Sequence, residues 1–291
     1  MTSKRWVFIT LISLILLGAS FFFFLGAFFS LFSRHHNEHG NVAVVEVLGG
    51  IFDSKPIVEK LRDLKKNDDV KAVVLRIDSP GGSVSASQEI FEAVKDFKSK
   101  KPIVASMGTV AASGGYYIAA PASKIVANPG TITGSIGVRL ELVNVQDLLE
   151  WARVKPMTLK SGRMKDVGST TRPMTPEEKD YLEGILKEMH AQFKKAVAES
   201  RGISLDELET FADGRVLTGE EAFAKHLVDE LGSQERAIKV ASDLAGLKGE
   251  PEVFYPSLDD KTILEHLIDG TVDRLFDRAV TSILSPFYLT M

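Results

Sequence analysis

From residue 42 onward, short β-branched runs alternate with longer stretches in which apolar residues recur every three or four positions. This pattern predicts an α/β domain. The runs at 42–47, 73–77, 102–107 and 125–126 read as buried strands. Between them the spacing predicts helices at 57–65 and at 83–97, where Ile90, Phe91, Val94 and Phe97 fall on one face. Further helices are expected at 147–154, 206–211, 219–225 and 234–244. A long one opens at Thr175-Pro176-Glu177-Glu178, with proline at its first position, and runs to about Ser200.

The two ends carry a different pattern. Residues 6–32 contain no charge and are dominated by Leu, Ile and Phe, long enough to span a hydrocarbon core of about 30 Å. A secretory signal peptide has an apolar core of only about 7 to 15 residues, so this stretch is expected to remain as a membrane anchor. Lys4 and Arg5 precede it and favour a cytoplasmic N-terminus, against the weaker opposing signal of Arg34. The expected organisation is an anchor at 1–33, a linker at 34–41, a catalytic domain at 42–256 and a C-terminal amphipathic helix and tail at 257–291. In the last part Leu264, Ile268, Val272, Leu275, Phe276, Ala279 and Ile283 form an apolar stripe that needs a partner. The expected location is the cytoplasmic membrane, crossed once and in contact with lipid through 6–32, with the main domain on the extracytoplasmic side.

Composition removes several function classes. The net charge is −4, which gives no reason to expect nucleic-acid binding. There are no cysteines, so disulfides, thiolate metal ligands and a cysteine nucleophile are excluded. No histidine–carboxylate cluster has zinc spacing, and neither a metal nor a cofactor is expected.

The candidate chemistry lies in small-residue turns. Met107 to Tyr117, MGTVAASGGYY, sets Ser113 between an apolar strand and a helix, with Gly114 and Gly115 leaving room for a substrate backbone. Asp78-Ser79-Pro80-Gly81-Gly82 is a second glycine turn between strand and helix, and its N–H groups could face developing negative charge. Each motif alone is more often an ordinary turn. Asp78 reads as a turn or capping group rather than a catalytic acid.

Five motifs occur together and in order: SPGG, AASGGYY, Ser-Gly-Arg-Met-Lys-Asp at 161–166, Gly-Arg-Val-Leu-Thr-Gly at 214–219, and Leu-Val-Asp-Glu-Leu-Gly at 227–232. In this combination the chain, from about 42 to 247, resembles signal peptide peptidase A in its half-length form. The resemblance implies a crotonase/Clp-protease-like ββα superhelix and a serine endopeptidase of the Ser-Lys dyad type. By motif correspondence Ser113 is the nucleophile and Lys165 the general base. It also implies peptide substrates, in particular remnant signal peptides, and a homo-oligomer, with rings of eight whose sites are shared between protomers.

The histidines are consistent with that implication. A Ser-His-Asp site needs an imidazole near the serine, yet none occurs between His39 and His190. His190 and His226 fall in helical patterns and read as solvated or partly buried helix residues. Lysine acts as a base only when neutral, and its ordinary pKa of about 10.4 leaves on the order of one in a thousand deprotonated at neutral pH. By spacing alone Lys165 is a solvated loop lysine; only the resemblance assigns it a role. The oxyanion hole would take the N–H of Gly114 and one from Gly81 or Gly82, between which the sequence does not choose. Ser135, in a third small-residue segment, is either a turn or cap residue or a hydroxyl that holds the lysine amine. Two other readings are a crotonase-like acyl-CoA hydratase or isomerase and a catalytically inactive membrane scaffold. One departure from the resemblance is His226, which stands where glycine is usual before Leu-Val-Asp. The preceding helix is therefore expected to end differently.

Overall fold

The computed structural model describes residues 40–258, together with Ser20 and a terminal strand at Leu289–Thr290. The anchor expected at 6–32 and the amphipathic helix expected beyond 257 lie outside the described residues. Among the described residues no helix is long and apolar enough to cross a membrane.

The elements follow the alternation. β1 (Val42–Leu48), α1 (Lys55–Lys66), β2 (Ala72–Ser79), α2 (Val84–Lys98) and β3 (Ile103–Ala112) come first. After them come α3 (Gly114–Ala119), β4 (Lys124–Ala127), β5 (Ile132–Gly134), β6 (Arg139–Leu140), α4 (Gln146–Trp151) and the long α5 (Pro176–Arg201). The remainder is α6 (Leu205–Glu209), β7 (Val216–Thr218), α7 (Gly219–Ala224), β8 (Glu230–Leu231), α8 (Gln234–Leu244), β9 (Val253–Phe254) and β10 (Leu289–Thr290).

One sheet is ordered β7-β5-β3-β2-β1-β9, with β4 beside β3 and β8 beside β4. Its central pairings β1–β2 and β2–β3 are parallel, and β5–β7 is antiparallel. The β-branched runs are continuous because both faces of this sheet are covered. Ala43, Val45, Val73, Leu75 and Ile77 pack with the α1 and α2 side chains Leu61, Ile90 and Phe97. The alternate positions Val42, Val44, Val74, Val104 and Val126 pack against Ala237, Val240 and Ala241 of α8. Period-two alternation thus assigns each strand residue to one of two cores.

β3 carries two neighbours on one edge. Its first half, Val104 to Ser106, pairs with β4, and its last residues, Val110 to Ala112, pair with β5. The strand therefore extends beyond the 102–107 run, and the extension delivers Ser113. Asp78 makes this possible. The β2–β3 register shifts between Ile77 and Ser79, and the Asp78 carboxylate accepts the N–H groups of Val110 at 3.0 Å and Thr109 at 3.3 Å across the irregularity. Asp78 is thus a bridge between two strands, not the capping group the sequence suggested.

α5 begins as its sequence predicts. Thr175 Oγ1 accepts the Glu178 N–H while the Glu178 carboxylate accepts the Thr175 N–H, and Gly202 at φ 67° ends the helix. The end of α7 corrects an expectation. His226 adopts φ 60°, the left-handed conformation glycine would supply, with Leu227 N–H on Ala222 O at 2.9 Å and His226 N–H on Phe223 O at 3.1 Å. The two bonds close a Schellman motif, so the helix ends in the usual way with a strained residue. His226→Gly is expected to raise stability by about 0.5 to 1 kcal/mol, relief of left-handed strain outweighing the added freedom of the unfolded chain. A higher denaturation midpoint at unchanged slope is the measurement.

Candidate active site

The carboxyl ends of β2 and β3 lie side by side in a parallel sheet, where α/β proteins commonly bind ligands. The two glycine turns therefore converge. Ser113 links β3 directly to α3 and takes φ 55° and ψ −121°, a conformation that costs of order 1 to 3 kcal/mol for a residue with a Cβ. Such strain persists only where the surroundings hold it. Here Ser113 N–H donates to Gly134 O at 2.9 Å, and Tyr117 N–H donates to Ser113 O at 2.9 Å.

The helix that follows is anchored in the core. Tyr116 is fully buried with its hydroxyl on Leu227 O at 3.0 Å, and burial pushes its phenol upward so that it stays protonated. Tyr117 packs between Phe91 at 4.8 Å and Phe193 at 4.9 Å between ring centroids. A rigid helix thus fixes the serine at its first turn.

The SPGG turn abuts it. An isolated parallel bridge pairs Ile51 with Gly82; Ile51 N–H donates to Gly81 O at 3.0 Å and Ser83 N–H to Ile51 O at 2.7 Å. A Cβ on Gly82 would stand 2.1 Å from Ile51 O, so only glycine fits. In that pairing the N–H of Gly82 points away from Ile51. A Cβ on Gly114 would lie 3.2 Å from Gly82 N and 2.5 Å from the Ser87 hydroxyl, which shows how closely the two turns approach. The N–H groups differ in availability. Gly81 donates to Ser79 Oγ at 3.1 Å, whereas among the described residues neither Gly82 nor Gly114 donates its N–H to any acceptor.

Ser113, Gly81, Gly82 and Ser135 line one cavity of about 520 Å³, with Phe52 and Pro80 as apolar wall and Arg139, His190 and Asp213 as polar wall. Ser135 follows β5 at φ 52°, its N–H on Arg215 O at 2.8 Å. A larger groove of about 620 Å³ lies between α1 and α2, lined by Arg62, Lys65, Glu89 and Glu92. It presents charged side chains but no nucleophile on a strained turn, so volume does not select the site.

Lys165 is not on the cavity wall. It lies in a run of turns, exposed, and among the described residues its ammonium has no acceptor. Its neighbours are firmly held. Asp166 accepts from Lys160 at 2.5 Å and from Arg172 Nε at 3.0 Å, and Arg172 also pairs with Glu178 at the start of α5. Arg172 and then Lys160 hold the Asp166 carboxyl well below the usual range, and Arg172 lowers Glu178 to about 2. Depressed carboxylates stabilise the fold above their ordinary pKa and lose that contribution only as pH falls through the lowered values. The clamp beside Lys165 is therefore intact throughout the neutral range.

The segment between β6 and α5 leaves its apolar side chains uncovered. α4 buries none of its residues, Trp151 is 82% exposed and Leu159 90%. The sequence reading missed His190 as a wall of the Ser113 cavity. Its helical spacing gave no sign that its turn of α5 faces the serine.

Residues 95–248 match the profile of Peptidase family S49, and residues 46–131 match that of Clp protease, in keeping with a Clp-protease-like α/β fold. A putative protease of Methanocaldococcus jannaschii is 40% identical over 72% of this chain and 67% of its own length. A putative protease of Synechocystis is 39% identical over 79% of this chain and 83% of its own. A putative signal peptide peptidase of Enterococcus faecium is 34% identical over 83% of this chain, which spans 63% of that relative.

Proposed function

The chain belongs to peptidase family S49, the signal peptide peptidase A-like serine proteases, and from that membership we propose that it cleaves extended peptides with Ser113 as nucleophile and Lys165 as general base. The observation that carries this reading is the strained Ser113 turn beside the N–H groups of Gly82 and Gly114, neither of which meets an acceptor among the described residues. Ser113 Oγ attacks the scissile carbonyl as its proton passes to the neutral lysine amine. The oxyanion that forms accepts from Gly82 and Gly114. Loss of one such donor typically costs about 3 to 4 kcal/mol in the transition state. Gly82 rather than Gly81 is the donor, because the Gly81 N–H is engaged by Ser79 Oγ. The tetrahedral adduct collapses to an acyl-enzyme, the departing amine takes its proton from the lysine, and water repeats the sequence to release the acid.

In this reading Lys165 comes from a neighbouring protomer of a ring. The exposed, apolar segment that carries it, with Trp151 and Leu159 uncovered, suits burial against a second copy. Ser135, on the cavity wall, then holds the incoming amine by its hydroxyl. The remaining parts of the reading are a crotonase-like superhelix, an N-terminal anchor in the cytoplasmic membrane, an extracytoplasmic domain, and remnant signal peptides as substrates.

Labelling by a fluorophosphonate is expected to map to Ser113. Only the neutral amine accepts the serine proton, so the peptidase rate should rise as the pH is raised. Peptide hydrolysis by a protein whose Ser113 stays unlabelled would contradict the reading. So would a rate governed by an ionisation near 6.5, the ordinary imidazole value, and abolished in a histidine variant.

A further inference from the structure

We infer that His190 is a positioning residue of the peptidase site, holding the Ser135 turn in register with Ser113 through the carbonyl of Ile136; the inference rests on the Ser113 reading above. His190 is on α5 and lines the Ser113 cavity, with Nε2 3.0 Å from Ile136 O. A carbonyl only accepts, so Nε2 carries a hydrogen there whether the ring is neutral or protonated.

Three ties define the turn at 134–137. Gly134 O accepts the Ser113 N–H at 2.9 Å, and Ser135 N–H donates to Arg215 O at 2.8 Å. His190 supplies the third, and it is the only one of the three made by a side chain. The turn needs such support, because Ser135 takes a left-handed φ of 52° and Ile136 is 1% exposed, which leaves its carbonyl little access to water.

The helix that carries His190 also touches the nucleophile helix. One turn on, Phe193 is fully buried and packs edge-on against Tyr117 of α3 at 4.9 Å. Positions three apart share a helix face. A single rigid face of α5 thus contacts α3 through Phe193 and the Ser135 turn through His190, and so sets the spacing between Ser113 and Ser135.

The test compares His190→Ala with His190→Gln, whose amide N–H can still reach the Ile136 carbonyl. Misplacement of a reacting group by about 1 Å can cost on the order of 100-fold. His190→Ala should lower kcat by about 10- to 100-fold with KM within about threefold, and slow fluorophosphonate labelling of Ser113 in proportion. His190→Gln should return both to within about threefold of the parent. The ratio of parent to His190→Gln rates should also stay constant between about pH 6 and 9, since the Nε2 hydrogen bond survives ring protonation. Arg139 and Asp213 on the cavity wall, and the Lys194–Glu209 pair near the ring, are unchanged in both variants.

Unchanged kcat in His190→Ala, no recovery in His190→Gln, or a ratio that shifts near pH 6.5 overturns the inference, the last by making the ring itself the base. If the truncation does not fold, His190→Leu replaces it, filling the space without a donor, and its difference from His190→Gln reads the same quantity. Ser113→Ala is measured alongside. Its retaining activity would sink the peptidase reading instead.

Discussion

Ser113→Ala is expected to lower kcat for an extended peptide by on the order of 10⁵-fold or more, the scale on which removal of a protease serine acts. The fold should survive, because alanine keeps the Cβ, and the hydroxyl makes no hydrogen bond among the described residues. Lys165→Ala should fall equally far, since without an amine nothing accepts the serine proton. It too should fold: Lys165 is exposed and among the described residues its ammonium has no acceptor, while the Asp166–Arg172–Glu178 clamp beside it is untouched. Residues that act as one unit lose activity non-additively, so the double variant should be no slower than either single one. Steady-state hydrolysis of a quenched peptide, with thermal midpoint and light scattering as controls, measures all three. Substantial rate in Lys165→Ala near neutral pH would remove lysine from the mechanism.

The parts of this site that could be read in the sequence are those made by local backbone chemistry. Ser113 and the SPGG turn announce themselves because strand-to-helix turns need small residues, and such turns sit at one end of a parallel sheet. Strand and helix positions followed from periodicity, since both sheet faces are buried and the covering helices are amphipathic. The length of β3 was hidden, as its last residues, Gly108 to Ala112, include few β-formers and depend on Asp78 from another strand. Tertiary context overrode propensity there.

What remained closed to sequence depends on which N–H is already occupied and which helix face turns inward. The Gly81 N–H is already taken by Ser79 Oγ, a contact two residues away that spacing does not reveal. His190 was read as a helix residue and is one; that it meets the Ile136 carbonyl follows from how α5 packs on α3. The left-handed φ of His226 shows the converse case, where backbone geometry persists although the residue best suited to it is absent. Lys165 is different again. Nothing in its own surroundings marks it, because its segment contributes no wall to the cavity of its own chain.

Mixing inactive Ser113→Ala with inactive Lys165→Ala protein is therefore expected to restore peptidase activity once subunits exchange. Each junction of a mixed ring has four pairings, and one of them sets an intact serine against an intact lysine. With equal mixing and random exchange, recovery should approach about a quarter of the activity of the parent, since each site behaves as one unit requiring both residues. Ser113→Ala removes a single hydroxyl at a buried position and keeps the Cβ, and Lys165→Ala trims one exposed side chain, so both proteins should keep the fold. The physical basis is the uncovered segment between β6 and α5, with Trp151 and Leu159 exposed and α4 burying nothing, which contributes no wall to the cavity of its own chain. Exchange is verified independently by energy transfer between differently labelled subunits. Recovery that follows the exchange supports supply in trans. Exchange without any recovery would return Lys165 to the site of its own chain and require the segment that carries it to fold back over Ser113.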